Sequence, residues 1–335
     1  MRITVIGSGA IGALVAGYLK LKEEDVLLIG RGESIAAIRK KGINISGVRG
    51  NFKVNIPIKE KVDSFAEVVV LATKTQDIQV VLESNSGLLK DSIIITTQNG
   101  VQAEKIVSKY FPVENIISSI VMFGSTYLKP AEVVHNFEGS WILGKLSNIT
   151  IDEKIVELSK TLDKAFPVVI SEDITGMKYL KIFVNANNCI PAILGVSMQE
   201  AFSDIMVSRV SINILREGFD IISKSGIKLV SLPGFPLENI TKLISLPLEE
   251  AARIYSGMMT KLSKEALYGS ILQSIKRNRL SEIDFINGEF VSLAKEHNLS
   301  AGLNSRLVSM VHQVELNKRF FNKDEFLENV KEYLN

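Results

Sequence analysis

Several groups of residues in this 335-residue chain have types and spacings that could do chemistry. The first is Gly7-Ser8-Gly9-Ala10-Ile11-Gly12. A G-x-G-x-x-G run cradles a dinucleotide when it joins a strand to a helix. The first glycine makes the tight turn, the second lets the backbone approach a pyrophosphate, and the third lets helix and strand pack closely. The helix N-terminus then offers N–H groups and positive potential to the phosphates. Read without context, the run is only a glycine-rich turn. Its place directly after the apolar run Ile3–Ile6 and before helical spacing favours the cradle.

A second group bears on which dinucleotide is bound. An NAD site ends its second strand on Asp or Glu, which bonds the ribose 2′-hydroxyl. Here Val26–Ile29 runs into Gly30-Arg31-Gly32, with no carboxylate at that spot. A carboxylate repels a 2′-phosphate, whereas an arginine pairs with it bidentately. Lys74, after Val68–Leu71, lies at the same ligand-binding edge and could add a second positive charge. Either cation alone reads equally well as a solvated loop residue. Together, with the acid absent, they favour NADPH.

The remaining groups would act on a substrate. Asn99 follows the run Ile93–Thr97, so its amide is expected at the same edge, although Asn99-Gly100 is also an ordinary turn sequence. Lys181, Asn185 and Cys189 are spaced i, i+4, i+8, and so are expected on one helix face, with Asn188 beside them. A helical lysine is usually solvated. One aligned with asparagines among Tyr179, Leu180, Ile182, Phe183 and Val184 suggests a lined cleft. Ser281-Glu282-Ile283-Asp284 opens another helical stretch, and its physical chemistry alone favours a plain reading: a serine cap with acids complementing the helix dipole.

The elements that must position these residues fall into two textures. Up to about residue 170, short β-branched runs alternate with helical spacing such as Ile11, Leu14, Val15, Tyr18 and Leu19. That alternation predicts a doubly wound parallel sheet. Ile43–Ser46 and Phe52–Ile56 read as a hairpin, and strand-like pieces from Ile116 to Lys145 are expected to extend the sheet antiparallel at its edge. From about Glu172 strands vanish. Glu200–Lys224, Leu248–Leu267, Ser281–His297 and Asn304–Lys318 are helix-periodic, and Pro233, Pro236 and Pro247 break the chain between helices. The expected fold class is α/β, a Rossmann-type doubly wound sheet followed by an all-helical C-terminal domain. The expected domains are 1–168, binding NADP, and 169–335, holding substrate and dimerising.

Composition narrows the partners. A chain with 46% hydrophobic and 23% charged residues can bury two ordinary cores. A net charge of +2 without clustered Lys or Arg leaves no footprint for nucleic acid. One cysteine and three scattered histidines, His135, His297 and His312, build no metal site. No apolar run approaches the roughly 20 residues that span a bilayer. The N-terminus lacks a signal-peptide layout, so triplets such as Asn148-Ile149-Thr150 read as chance, and a soluble, cytoplasmic protein is expected. The apolar helical half suggests a homodimer.

Beyond these readings the chain resembles the ketopantoate reductase family over nearly its whole length. The resemblance rests on Gln98-Asn99-Gly100-Val101, on a Val-Val-His…Gly…Gly pattern from His135 to Gly144, and on Lys181 with Asn185. Above all it rests on Ser270-Ile271-Leu272-Gln273 followed by Glu282-Ile283-Asp284-Phe285-Ile286-Asn287-Gly288. It implies NADPH in the first domain and reduction of 2-dehydropantoate to (R)-pantoate, on the route to pantothenate and coenzyme A. It implies Lys181 as the general acid, Asn185 and Ser270 as substrate contacts, and Glu282 beside substrate hydroxyl and cofactor. By the same resemblance Arg31 and Lys74 hold the 2′-phosphate and Asn99 touches both ligands. One position departs: Cys189 stands where the family usually carries a second asparagine, with Asn188 one place away. A thiol is a poorer donor and acceptor than an amide. The departure leaves room for a different 2-oxo acid as substrate. A non-enzymatic NADPH-binding regulator is the competing class, and the full set of Lys181, Asn99, Ser270 and Glu282 speaks against it.

Overall fold

The computed structural model describes residues 1–146, 150–263 and 265–334, so Asn148 and Ile149 of the triplet named above lie outside the described residues. The chain divides into two compact units, Met1–Thr175 and Gly176–Asn335. The first is built on strands β1 (Arg2–Ile6), β2 (Asp25–Ile29), β3 (Ile43–Gly47), β4 (Phe52–Val54), β5 (Ile58–Lys59), β6 (Val68–Leu71), β7 (Ile93–Thr96), β8 (Ile116–Val121), β9 (Gly124–Lys129), β10 (Glu132–Phe137), β11 (Trp141–Lys145) and β12 (Val168–Ser171). Its helices are α1 (Ala10–Leu21), α2 (Glu33–Lys41), α3 (Ile78–Asn85), α4 (Ala103–Val107) and α5 (Glu153–Asp163).

Eight strands form the main sheet in the order β12-β11-β8-β7-β6-β1-β2-β5. Pairing is parallel throughout except between β11 and β8. The continuous apolar runs explain why both faces are covered. Side chains alternate across a strand, so each run feeds two cores. Val26, Leu28, Val68 and Val70 join one core with Leu14, Trp141 and Phe166. Leu27, Ile29, Val69 and Leu71 join the other with Ile78, Leu82 and Val107.

The Ile116–Lys145 stretch departs from expectation. β8 continues the parallel sheet and β11 returns antiparallel beside it, but β9 and β10 leave for a second sheet of order β4-β3-β10-β9. The hairpin of β3 and β4 is its other half, because β10 pairs parallel with β3. His135 of the Val-Val-His pattern is fully buried there, with its Nδ1 at 3.1 Å from the Tyr18 hydroxyl of α1. Arg49 lies 4.7 Å over the Tyr18 ring and pairs with Glu138 at 2.7 Å. This cluster fastens the small sheet to α1, which gives His135 a packing role.

The second unit is helical, with α6 (Ile174–Ala186, opening at the end of the first unit), α7 (Cys189–Leu194), α8 (Met198–Phe202), α9 (Ile205–Lys224), α10 (Leu237–Ser245), α11 (Leu248–Thr260), α12 (Ser270–Lys276), α13 (Asn287–Glu296), α14 (Gly302–Asn317) and α15 (Lys323–Val330). Two expected helices are interrupted. Glu200–Lys224 breaks at Asp204, whose carboxylate caps α9 by accepting from the Met206 and Val207 N–H groups. Ser281–His297 begins as a single 3-10 turn, Ile283–Phe285, before α13 starts at Asn287. The helix expected over Leu248–Leu267 ends at Thr260.

The entry to α1 sets a testable limit. A Cβ at Gly12 would stand 1.8 Å from the carbonyl oxygen of Gly7. Alanine would gain about 1 kcal/mol of helix propensity. A clash with main chain at that distance forces α1 off the strand, and overpacking of this kind costs about 1–3 kcal/mol or more. Gly12→Ala is therefore expected to lower the melting temperature by several degrees in thermal unfolding; an unchanged or raised value refutes the packing argument.

Candidate active site

Parallel pairing brings the C-terminal ends of β2, β1, β6 and β7 to one edge of the sheet, in that order. Arg31, the glycine run, Lys74 and Asn99 follow those four ends. Gly7 has φ +117°, and a Cβ there would meet the Ala72 carbonyl oxygen at 2.6 Å, so the β1 turn lies directly against the end of β6. Its N–H donates to the Ile29 carbonyl at 2.9 Å, tying the turn to β2 as well. By contrast, nothing lies within 4 Å of the place a Cβ at Gly9 would take. Gly9 is also the N-cap of α1, and the helix starts without a side-chain cap. The α1 terminus thus opens onto free space with its N–H groups and dipole, which is what a pyrophosphate requires. Ser8 is buried instead, its hydroxyl turned toward Gly30, where a Cβ would come within 2.7 Å of it.

The two cations expected at a 2′-phosphate lie on loops that meet. Arg31 is 73% exposed and its Nη2 sits 3.2 Å from the Asp77 carboxylate, three residues beyond Lys74. Strands β2 and β6 flank β1, so this ion pair reaches across the glycine turn. Asp77 occupies the N-cap position of α3 yet its side chain makes no cap hydrogen bond. An acid beside Arg31 competes with any phosphate that docks there. Its position before a helix reads as a cap in the sequence, and no local signal distinguishes the two roles.

Asn99 lies in a bend after β7, and Gly100 takes φ +76°, so the Asn-Gly turn reading is realised. The bend is held by the neighbouring Gln98. Its amide Nε2 donates to the carbonyls of Leu71 and Thr73 at 2.9 Å each, and its Oε1 accepts from the Thr97 N–H at 3.0 Å. Gln98 therefore staples the bend carrying Asn99 to the loop carrying Lys74. Behind it, Glu104 of α4 is buried and accepts from the Thr96 and Ser118 hydroxyls at 2.6 Å each. Neither residue stands out as a functional group by spacing alone.

In the helical unit Lys181 and Asn185 share one face of α6, but Cys189 does not continue it. The helix ends at Ala186 and Cys189 opens α7 after an intervening turn. The Cys189 side chain is fully buried, with the Asn287 amide as a hydrogen-bond partner, and burial pushes its thiol up to about 12. The expected stripe of three is thus a pair, and the thiol belongs to the helical core. Asn188 takes the other side: the Cβ and Cγ of Asn188 would lie 3.2 Å from a Cβ at Gly269, directly before the exposed Ser270 that starts α12. The missing side chain at Gly269 is what lets α12 approach Asn188.

Burial pushes the Lys181 ammonium down to about 8. A protonated amine at that value gives up its proton far more readily than a surface lysine. Glu282 sits at the N-cap of the 3-10 turn, half-buried, and not within a helix. Ser281 lies one residue before that N-cap, its hydroxyl accepting from the Ile283 N–H at 3.3 Å, so the expected serine cap serves a 3-10 turn and not the start of α13, while Asp284 turns to His312. Among the described residues no group of three or more His, Cys, Asp or Glu could hold a metal ion, and no helix is long and apolar enough to cross a membrane.

Comparison with known proteins adds the lineage. The family model "Ketopantoate reductase PanE/ApbA" matches residues 3–148 and its C-terminal counterpart matches residues 173–315. A 2-dehydropantoate 2-reductase of Pyrococcus horikoshii is 31% identical, over 94% of this chain and 98% of its own. One of Aquifex aeolicus is 25% identical, over 94% and 97%. Among solved structures, a D-mandelate dehydrogenase with NADH and anilino(oxo)acetate superposes with a TM-score of 0.82 at 24% identity, covering 95% of this chain and 99% of its own. A ketopantoate reductase of Ralstonia eutropha JMP134 gives 0.78 at 21% identity, with 95% and 99% covered. The matching family models span both units, and the chain is an oxidoreductase that belongs to the ketopantoate reductase family.

Proposed function

We propose that this enzyme reduces 2-dehydropantoate to (R)-pantoate with NADPH, and that Lys181 is the proton donor. The observation that carries the reading is the Lys181 ammonium, pushed down to about 8 on a helix face shared with Asn185, in a chain of this family. The cofactor half rests on the open, uncapped α1 terminus at Gly9 and on Arg31 where an NAD site carries an acid. The residues present fit a dinucleotide. The α1 N–H groups would hold the pyrophosphate and Arg31 with Lys74 the 2′-phosphate. Bound there, a reduced nicotinamide supplies the hydride that the C2 ketone accepts.

The chain's own residues then manage charge and position. As the ketone carbon is reduced, negative charge grows on its oxygen. The Lys181 ammonium stabilises that charge and delivers its proton to the same oxygen; both effects favour the transition state over the ketone. Asn185 and Ser270 bond the substrate's polar groups, with Glu282 taking its hydroxyl. Asn188, beside Gly269 and Ser270, supplies the amide that Cys189 does not.

A second reading keeps the chemistry and changes the acid. Cys189 stands in the sequence where the family usually carries an amide, which leaves a different 2-oxo acid on the same scaffold as the alternative substrate. The likeness to the D-mandelate dehydrogenase bears on the fold, and NADH is measured beside NADPH. Assays following NADPH and NADH absorbance with 2-dehydropantoate, 2-oxoisovalerate and phenylglyoxylate decide it. The proposal expects the highest kcat/KM for 2-dehydropantoate with NADPH; no oxidation in any combination sinks it.

Four further outcomes follow from the charges. Lys181→Ala, correctly folded, should cut kcat by about a hundredfold or more, and near wild-type turnover refutes the proton-donor role. Because the acid form prevails below its pKa, kcat should fall as pH rises through about 8, and a flat profile to pH 10 contradicts the assignment. Arg31→Ala should raise KM for NADPH about tenfold and leave NADH unchanged, since one charge-assisted contact is lost. Asp77→Asn should shift KM for NADPH in the opposite direction, by removing the competing carboxylate.

A further inference from the structure

The turn that carries Glu282 is gripped from one helix. Glu315 of α14 is buried, its side chain 4% exposed, and its Oε1 accepts from the Ser281 N–H at 2.7 Å. Its Oε2 faces Nδ1 of His312, one helical turn earlier, at 3.1 Å. The other ring nitrogen of His312, Nε2, meets the Asp284 Oδ1 at 2.9 Å. Residues 281 and 284 bracket Glu282, so α14 holds the backbone before it and the side chain after it.

We propose that Glu315 and His312 are positioning residues that set the Glu282 carboxylate by fixing the Ser281–Asp284 turn. The proposal rests on the reading of Glu282 as a group beside substrate and cofactor.

The chemistry of the bridge explains why these residue types are used. A neutral imidazole has one N–H and one lone pair, so it can donate to only one of two flanking carboxylates. Both contacts of His312 are favourable together only for the imidazolium. Burial pulls the His312 pKa down, yet the hydrogen bonds to Asp284 and Glu315, with their charges, outweigh it and the net direction is up. Among the described residues those two carboxylates, one from the 3-10 turn and one from its own helix, are the charges acting on it. The imidazolium also offsets the cost of burying the Glu315 carboxylate, which is left to accept from a main-chain N–H. A 3-10 turn closes only weak rings of its own, here the Phe285 N–H to the Glu282 carbonyl at 3.0 Å and the Ile286 N–H to the Ile283 carbonyl at 3.2 Å. Its geometry therefore depends on outside partners, and α14 supplies two.

A double-mutant cycle separates this from plain structural support. Glu315→Ala should lower kcat/KM for 2-dehydropantoate and NADPH about tenfold, and Glu315→Gln, which keeps an acceptor for Ser281, should recover most of it. In a Glu282→Gln background the same Glu315→Ala change should cost less than about twofold. Equal losses in both backgrounds overturn the positioning role while leaving Glu282 in place. A Glu282→Gln enzyme with wild-type kcat/KM instead removes the underlying reading, and the proposal with it. Should Glu315→Ala not fold, His312→Gln, at a half-exposed site, runs the same cycle with an expected few-fold loss. A readout independent of turnover is amide hydrogen exchange. Ser281 to Phe285 should exchange faster in His312→Gln, with α9 and α13 unchanged, and wild-type protection of that turn refutes the proposal.

Discussion

A Cβ at Gly12 would stand 1.8 Å from the Gly7 carbonyl, and one at Gly7 would stand 2.6 Å from the carbonyl of Ala72. These two close approaches put the β1 turn, the α1 terminus and the end of β6 within direct contact. Everything at that edge of the sheet inherits its place from them. The α1 terminus opens beside Gly9 because no side chain fills the space, and the loops after β2 and β6 come near enough for Arg31 and Asp77 to pair. Gln98 then carries the constraint one strand further, from the carbonyls of Leu71 and Thr73 to the bend of Asn99.

The helical unit solves a different problem, that of holding polar groups in an apolar bundle. Each is treated according to its cost of burial. The Lys181 ammonium is shifted toward its neutral form, which is the property a proton donor needs near neutral pH. The Cys189 thiol is kept protonated within the core. The Glu315 carboxylate accepts from a main-chain N–H and faces an imidazole. Cys189 and Asn188 are adjacent at the start of α7 but have different surroundings, Cys189 fully buried and Asn188 against Gly269.

Much of this was legible beforehand. The glycine run, the missing acid after β2 and the short continuous apolar runs are local patterns, and local patterns map directly onto strands, turns and helix starts. The split of the strands over two cores follows from side-chain alternation alone. Legibility failed wherever the outcome depended on a distant partner. The strands β9 and β10 read as further edge strands of the main sheet, yet β10 pairs with β3, some ninety residues earlier. The stripe Lys181, Asn185, Cys189 kept perfect spacing through a helix break that spacing cannot register.

By itself, the sequence determined the fold class, the place of the glycine run between the first strand and the first helix, and which charged and amide residues are available, because these depend on composition and short-range periodicity. Only the tertiary structure decided how those groups are tuned and held. Lys181 acquires its lowered pKa from burial, Arg31 acquires a competing acid from a loop forty-six residues away, and the Glu282 turn acquires its grip from Glu315 and His312. Desolvation and long-range hydrogen bonds arise only when distant segments meet, and no local pattern in the chain encodes which segments those are.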